Sequence, residues 1–180
     1  MQNFTAIDFE TANFESTSAC QIGLVVIKDK KIIKEFSSYI KPVPNYFVSR
    51  FTNEIHGIDS KTVAKSPTFD KVWLEICQFI ENSEFIVAHN ASFDIKVLTS
   101  CLSYYNIEYK LPPHFCTCKA SRKKLPNVRN HKLSTLCDYF GVPLNHHEAL
   151  SDARGAAMLA LKLDEIIWTN TNTFYRIIKI

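Results

Sequence analysis

Three stretches near the start of the chain decide the fold: residues 3–10 (NFTAIDFE), 21–28 (QIGLVVIK) and 31–40 (KIIKEFSSYI). They are rich in β-branched and aromatic residues, and the third alternates between faces, which is typical of β-strands. Asp29-Lys30 separates the last two stretches, a length that suits a tight hairpin turn. The sequence therefore predicts an antiparallel meander of three strands.

Helical periodicity replaces this pattern after residue 40. Apolar residues recur at helical spacing in five ranges: 45–58, 69–82, 93–105, 133–140 and 148–168. Short apolar runs at 85–88 and near 114–117 predict buried strands. A meander followed by alternating strands and helices indicates an α/β fold, with a mixed sheet flanked by helices. The segment 119–132 (KASRKKLPNVRNHK) shows no such period, and we expect a long basic loop there.

Composition narrows the class of protein. The 180 residues are 46% hydrophobic and 22% charged, which is typical of a globular domain, and the net charge of +3 is too small to indicate nucleic-acid binding by itself. No apolar run approaches the length of a membrane span, and the first residues lack the pattern of a secretory signal. Six scattered cysteines predict free thiols in a reducing compartment, so we expect a cytoplasmic protein without a membrane partner. The one cluster, His114-x-Cys116-x-Cys118, lacks zinc-site spacing and suits a strand better.

Two acids stand on the first strand where the pattern favours apolar side chains. Residues two apart on a strand share a face, so Asp8 and Glu10 project together with Phe4 and Ala6. Their side chains should lie roughly 6–7 Å apart along the strand. Two neighbouring carboxylates repel each other unless a cation lies between them.

Two further acids interrupt the apolar faces of predicted helices. Asp94 lies at the start of the inward stripe of the helix 93–105, and Asp152 lies between inward-facing leucines of the last helix. Acids from three elements that all face the core indicate a shared site for Mg²⁺ or Mn²⁺, because these cations prefer oxygen ligands. Two structural alternatives remain at this point: Asp94 could favour its helix dipole, and Asp152 could pair with Arg154.

Two adjacent histidines precede the last helix. His146 and His147 lie in the sequence LNHHE, five or six residues before Asp152. A histidine there can reach a water molecule at the predicted cation site, and its ordinary pKa suits a general base near neutral pH. The pattern alone does not choose between the two, and a solvated loop is the alternative.

The ordered set of short motifs resembles the DEDDh group of 3′→5′ exonucleases, in the style of the epsilon subunit of bacterial DNA polymerase III. The matching segments are Asp8-Phe9-Glu10-Thr11, Gln21-Ile22-Gly23, Ile55-His56-Gly57-Ile58, His89-Asn90-Ala91-Ser92-Phe93-Asp94, Lys132-Leu133-Ser134-Thr135-Leu136 and His147-Glu148-Ala149-Leu150-Ser151-Asp152. They run from about residue 4 to residue 165. The resemblance implies a ribonuclease H-like fold with a mixed five-stranded sheet.

The resemblance also implies roles for individual residues. The four acids Asp8, Glu10, Asp94 and Asp152 would hold two divalent cations, and His147, rather than His146, would be the general base. The residues implied to contact the terminal nucleotide are Thr11, Ile55, His56, His89 and Phe93. One departure is Ala12-Asn13, where family members often have Thr-Gly; asparagine tolerates the left-handed backbone that a glycine would supply.

These residues together predict a metal-dependent exonuclease that releases nucleoside 5′-monophosphates from single-stranded DNA, or RNA, 3′ ends. Residues 1–170 would form the exonuclease domain and 171–180 a C-terminal tail. The basic segment 119–132 could follow the phosphate backbone or be only solvated. A DNA polymerase or a replication or repair complex is an expected partner. The alternative is a non-catalytic nucleic-acid-binding or assembly module of the same fold.

Overall fold

A computed structural model describes the backbone of residues 3–170 and the side chains of residues 3–165. The proposed tail, 171–180, lies outside the described residues. Five strands form one sheet: β1 (Asn3–Thr11), β2 (Ala19–Lys28), β3 (Lys31–Tyr39), β4 (Ile86–Ala88) and β5 (His114–Cys116). Their order in the sheet is β3-β2-β1-β4-β5. β1 pairs antiparallel with β2 and parallel with β4, so the predicted mixed five-stranded sheet is confirmed.

The meander closes through a two-residue turn, as predicted. Asp29 and Lys30 both adopt the left-handed backbone conformation, with φ of 50° and 64°. Two consecutive left-handed residues form the type I′ turn, whose twist matches that of the flanking strands. The turn sets the pairing of β2 with β3, in which Lys28 lies opposite Lys31.

Helices lie on both faces of the sheet. They are α1 (Ser49–Phe51), which continues into a π-helical turn (Thr52–His56), α2 (Phe69–Glu81), α3 (Ser92–Tyr104), α4 (Thr117–Lys124), α5 (Leu133–Phe140) and α6 (Ala149–Asn170). Four of these, α2, α3, α5 and α6, agree with the predicted ranges to within two residues. In the part of the chain that the structure describes, no helix is long and apolar enough to cross a membrane.

Two of the predicted ranges were wrong. The predicted helix 45–58 is helical only over residues 49–56 and ends at Gly57, whose φ is 73°. The predicted loop 119–132 begins as a helix, because α4 extends to Lys124. The inward face of α4 carries Thr117 and Ser121, both fully buried. Small polar side chains on that face leave no hydrophobic period for sequence analysis to detect.

The two faces of the sheet have separate cores. On one face, Ile7 and Phe9 of β1 pack with side chains of α2 and α3. On the other face, Phe4 and Ala6 of β1 pack against α6. Since side chains alternate along β1, Asp8 and Glu10 continue the second face, toward α6.

The start of α6 lies directly on β2. A Cβ atom at Gly23 would come 2.1 Å from the carbonyl oxygen of Ala149, so only glycine allows the two backbones this close. Gln21 strengthens the contact, because its Oε1 accepts a hydrogen bond from the Ala149 backbone N–H at 3.4 Å. Gly23 lies opposite Asp8 in the β1–β2 pairing. The contact therefore places the first turn of α6 beside the acidic end of β1.

Gly23→Ala should destabilise the protein strongly, by about 3 kcal/mol or more in the free energy of unfolding, because the added methyl meets backbone that cannot rotate away. Thermal or urea unfolding measures the effect.

Gly155→Ala is the matched control. Its new Cβ would meet the Leu144 side chain at 2.9 Å, and a side-chain end can move, so the loss should be much smaller. Equal stability of Gly23→Ala and the parent would show that α6 does not depend on this contact.

Candidate active site

The carboxyl ends of three strands meet at one edge of the sheet. β1, β4 and β5 run parallel to one another, with Ala6 opposite Val87 and Ala88 opposite Cys116. Asp8 and Glu10 lie near the carboxyl end of β1, and α3 begins four residues after β4 ends. The geometry thus gathers the acidic end of β1, the start of α3 and the start of α6 at this edge.

Three carboxylates form a cluster there. One oxygen atom from each of Asp8, Glu10 and Asp152 lies within 4.8 Å of the others. The Oδ1 atom of Asp152 is buried and has no hydrogen-bond partner among the described residues. A buried carboxylate oxygen is costly to leave unpaired, and a divalent cation is the partner that neighbouring carboxylates suit. The donor set therefore fits Mg²⁺ or Mn²⁺.

Asp94 lies beside this cluster and is tied to β1. Its Oδ1 accepts a hydrogen bond from the Phe9 backbone N–H at 3.1 Å, and the residue is only 1% exposed. Its charge raises the pKa values of Asp8 and Glu10, so it lies close to both. The structure brings together all four predicted acids, three of them within ligand distance of one another.

The acids hold their protons unusually strongly without a cation. Burial, followed by the charges of Asp152 and Asp94, raises the pKa of Glu10 to about 8. Burial also raises the pKa of Asp94 to about 8, although the Phe9 N–H opposes the shift. Burial and the neighbouring acids raise the pKa of Asp8 well above its ordinary value. Asp8, Glu10 and Asp94 can therefore all be ionised at neutral pH only when a positive charge, such as a bound cation, lies beside them.

Asp152 has different neighbours from those considered in the sequence. Arg154 binds Glu35 of β3 through two hydrogen bonds, of 2.7 and 3.1 Å, so the suggested pair of Arg154 with Asp152 is wrong. The Oδ2 atom of Asp152 instead lies 2.7 Å from His146 Nδ1 and accepts the His147 backbone N–H at 3.2 Å. The loop before α6 is thus fastened to Asp152.

The two adjacent histidines stack on each other beside Asp152. Their ring centroids are 3.8 Å apart, and His147 has a left-handed backbone with φ of 69°. His146 contacts the Asp152 carboxylate through its ring, whereas His147 contacts it through its backbone N–H.

Two of the five predicted nucleotide-contacting residues offer apolar surface. Ile55 is 37% exposed and Phe93 is 44% exposed. Thr11 is nearly buried, and His56 is committed to the protein backbone. The Nδ1 atom of His56 accepts the Ile58 N–H at 3.0 Å, so its Nε2 carries the proton and donates to the Thr11 carbonyl at 3.1 Å. His56 thereby holds the π-helical turn against the end of β1.

His89 is likewise held on both sides. Its Nε2 lies 3.0 Å from the His131 carbonyl oxygen, which can only accept, so Nε2 donates and Nδ1 accepts from the Thr117 hydroxyl at 2.9 Å. Burial lowers the pKa of His89 to about 4, which keeps the ring neutral. His89 therefore ties the segment around His131 and the start of α4 to the end of β4.

Sequence reasoning missed the role of two residues. Glu148 accepts the N–H groups of Leu150 and Ser151, at 3.2 and 2.7 Å, and its charge raises the pKa values of Asp8 and Glu10. An acid just before a helix start is the signal that could have indicated this cap. Asn13 does not adopt the left-handed conformation that asparagine tolerates, and its side chain donates to the carbonyl oxygens of Pro44 and Tyr46.

The sequence matches the RNase T family, described as exonuclease, over residues 5–160, which includes the four acids and both histidines. The chain belongs to this family. The prediction of a DEDDh-type exonuclease is thereby confirmed at the level of the family.

Two relatives illustrate the match. The PolC-type DNA polymerase III of Caldanaerobacter subterraneus subsp. tengcongensis is 31% identical over 166 residues, which is 90% of this chain but 12% of that protein. The DNA polymerase III subunit epsilon of Aquifex aeolicus is 27% identical over 168 residues, 92% of this chain and 82% of the relative. The chain thus spans a small part of the PolC-type polymerases and most of the epsilon subunit.

Solved structures share the fold. Exonuclease X, solved with 5′ overhanging duplex DNA, is 24% identical with a TM-score of 0.70, and the match covers 97% of this chain and 96% of that one. The nuclease domain of 3′hExo, a DEDDh family member bound to rAMP, is 17% identical with a TM-score of 0.73, covering 91% and 92%. The predicted fold, α/β with a ribonuclease H-like sheet, is confirmed.

The raised pKa values predict how stability depends on pH. Glu10 and Asp94 have ordinary pKa values of 4.5 and 3.8 and folded values of about 8, so without cations the folded state loses stability as the pH rises from about 4 to about 8. Asp94→Asn keeps an oxygen for the Phe9 N–H and removes one charge. At pH 8 in EDTA this variant should melt roughly 2–4 °C above the parent, the shift expected for about 1 kcal/mol.

The control is Glu75→Gln, which removes an exposed carboxylate from α2 and should not shift the melting temperature. The difference between Asp94→Asn and the parent should vanish near pH 4, and millimolar Mn²⁺ should stabilise the parent more than the variant. A lower melting temperature for Asp94→Asn at pH 8 in EDTA would mean that the Asp94 charge stabilises the fold.

Proposed function

We propose that this chain is a divalent-cation-dependent 3′→5′ exonuclease that removes nucleoside 5′-monophosphates from single-stranded DNA. Exonuclease action is the activity that describes its family. The observation that carries the proposal is the carboxylate cluster with the unpaired, buried Asp152 Oδ1. A scaffold has no use for such a cluster, because grouped acids cost stability and repel phosphate.

The four acids are the proposed ligands of two divalent cations, Mg²⁺ or Mn²⁺: Asp8, Glu10, Asp94 and Asp152. When bound, such cations activate the attacking water and stabilise charge on the departing 3′-oxygen. Asp94 is held by the Phe9 N–H, and Asp152 by the loop before α6. The ligands therefore sit on rigid elements, as a precise site requires.

His147 is the proposed general base. Burial and the neighbouring His146 lower its pKa, so the ring is neutral near pH 7 and can accept a proton. In the proposed step His147 takes a proton from water, the water oxygen bonds to the terminal phosphorus, and the bond from phosphorus to the 3′-oxygen of the preceding nucleotide breaks. That oxygen then takes a proton from solvent, and the phosphate leaves on the 5′ carbon of the released nucleotide.

The terminal nucleotide is proposed to lie between Ile55 and Phe93. Both side chains are apolar and partly exposed, and nucleobases stack on such surface without regard to sequence. His56 and His89 act here as positioning residues, since their ring nitrogens are engaged within the protein. Thr11 completes the predicted contact set through its place at the end of β1.

A DNA polymerase or a replication or repair complex is the proposed partner because relatives of this chain are polymerase III proteins. DNA is the proposed substrate for the same reason, although a single contact to a 2′-hydroxyl decides between DNA and RNA.

The purified chain should shorten a 5′-labelled single-stranded oligonucleotide stepwise from its 3′ end in Mg²⁺ or Mn²⁺, and EDTA should abolish the reaction. Glu10→Gln should lower turnover at least 100-fold, because it removes a cation ligand.

Its matched control, Glu75→Gln on the exposed face of α2, should retain the parent rate. Parallel DNA and RNA substrates identify the preferred sugar. Oligonucleotide binding without any cleavage, in both cations, would reject the enzyme and favour the non-catalytic module.

His147→Ala should lower turnover by about 10²- to 10⁴-fold, the usual range for a lost general base. His146→Ala should cost less than about tenfold. The parent should lose activity as the pH falls through the histidine pKa, and His147→Ala should lack that limb of the pH profile. A crippled His146→Ala beside an active His147→Ala would transfer the role of base to His146.

A further inference from the structure

An open groove of about 600 Å³ lies between the end of α4 and the surface of α5, outside the acid cluster. Its walls carry two cationic side chains, Lys124 and Arg129, and one aromatic ring, Tyr139. One acid, Asp138, also lines it. A groove that combines an aromatic ring with cationic side chains is the arrangement that proteins use to hold single-stranded nucleic acid.

The groove has a fixed base. Leu125 and Val128 pack on the apolar cluster that joins α5 to α6. The Leu125 N–H donates to the Ser121 carbonyl at 2.8 Å, and the Val128 N–H donates to the Leu125 carbonyl at 3.2 Å. The turn after α4 is therefore anchored, and Lys124 and Arg129 flank it at defined positions.

The ring of Tyr139 is exposed to solvent, but a neighbouring ring holds its orientation. The residue is 60% exposed, and its ring meets that of Phe140 edge to face with centroids 4.9 Å apart. Phe140 is itself half-buried against the cluster beneath the groove. A ring held in this way can stack on a base with little further loss of side-chain freedom.

Helix α4 links this groove to the end of the sheet that carries the acids, and it bears four Lys or Arg residues. α4 begins where β5 ends, at the sheet edge that carries the acids, and His89 binds its first residue, Thr117. His131, whose carbonyl oxygen binds His89, also has its Nδ1 3.1 Å from the Ser121 hydroxyl oxygen of α4. From Thr117 to Lys124 the helix rises about 10 Å. The end of α4 that lines the groove is thus one helix length from the residue that His89 binds.

Charge favours a nucleic acid as the occupant. The segment 119–132 contains six Lys or Arg residues and no Asp or Glu, whereas the whole chain has a net charge of +3. The rest of the chain is therefore net acidic, with a charge of −3. A phosphate backbone is repelled by the acids and attracted here.

We propose that this groove binds a nucleotide upstream of the one being removed, with the base stacked on Tyr139 and the phosphates bound by Lys124 and Arg129. The inference rests on the proposed function, because it takes the strand that the acid cluster cuts as its occupant. It predicts that long strands are better substrates than dinucleotides, which cannot reach the groove.

The test compares Tyr139→Ala and the double variant Lys124→Gln/Arg129→Gln with the parent. The first readout is the ratio of kcat/KM for a 12-nucleotide DNA strand to kcat/KM for a dinucleotide. Tyr139→Ala should lower this ratio roughly 5- to 100-fold, as expected for loss of one stacked base. The double variant should lower this ratio too. In EDTA, its slope of log Kd for the 12-mer against log salt concentration should be smaller than that of the parent by about 1.4, because each phosphate bound on a single strand contributes about 0.7 to the slope.

The matched control is Lys31→Gln/Lys34→Gln, which removes two exposed cations from β3, the strand farthest from β5 in the sheet. It should leave the ratio and the salt slope unchanged, and thermal melts verify that every variant folds.

An unchanged ratio in both groove variants of an active enzyme overturns the groove proposal alone. A parent that binds the 12-mer through the groove but never cleaves it overturns the proposed function alone. Poly-glutamate that competes fully with the 12-mer, and loses affinity in the same variants, would assign the groove to an acidic protein segment instead.

Discussion

The acid site depends on the backbone contact between Gly23 and Ala149. Because Gly23 has no side chain, the first turn of α6 lies directly on β2. The backbone N–H of Ala149, at the start of α6, donates a hydrogen bond to the Gln21 side chain. Gly23 is the partner of Asp8 in the sheet, and Asp152 lies three residues, or about one turn, beyond Ala149. The close approach of two backbones therefore sets the distance between the carboxylates of β1 and the carboxylate of α6.

The cluster that results is unfavourable for the fold by itself. Burial and mutual repulsion raise the pKa values of Glu10 and Asp94 to about 8, which measures how poorly the site holds negative charge. The apolar cores on both faces of the sheet supply the stability that allows this local cost. Active sites commonly carry such a cost, because the groups that bind the reaction partner are unsatisfied without it.

Opposite charges are divided between two regions of the molecule. The acids lie where β1, α3 and α6 meet, and the cations lie along α4 and the turn that follows it. His89 joins the two regions, since its ring binds both Thr117 and the carbonyl of His131. A histidine implied by resemblance to contact substrate thus acts, in this structure, to fix the basic segment beside the acid site.

The sequence by itself determined the features that depend on how side chains repeat along a strand or a helix. Side chains two apart on a strand share a face, so Asp8 and Glu10 were predictable as a pair, and the apolar stripe of α5 gave both of its ends. Only the tertiary structure decided the rest. The sequence did not reveal α4 because the buried face of this helix carries the small polar residues Thr117 and Ser121. Arg154 binds Glu35, which is 119 residues away in the chain, and does not bind Asp152. The partners of His56, His89 and His146 were also undetermined, because a hydrogen bond between distant residues depends on how whole elements pack and leaves no periodic trace in the chain.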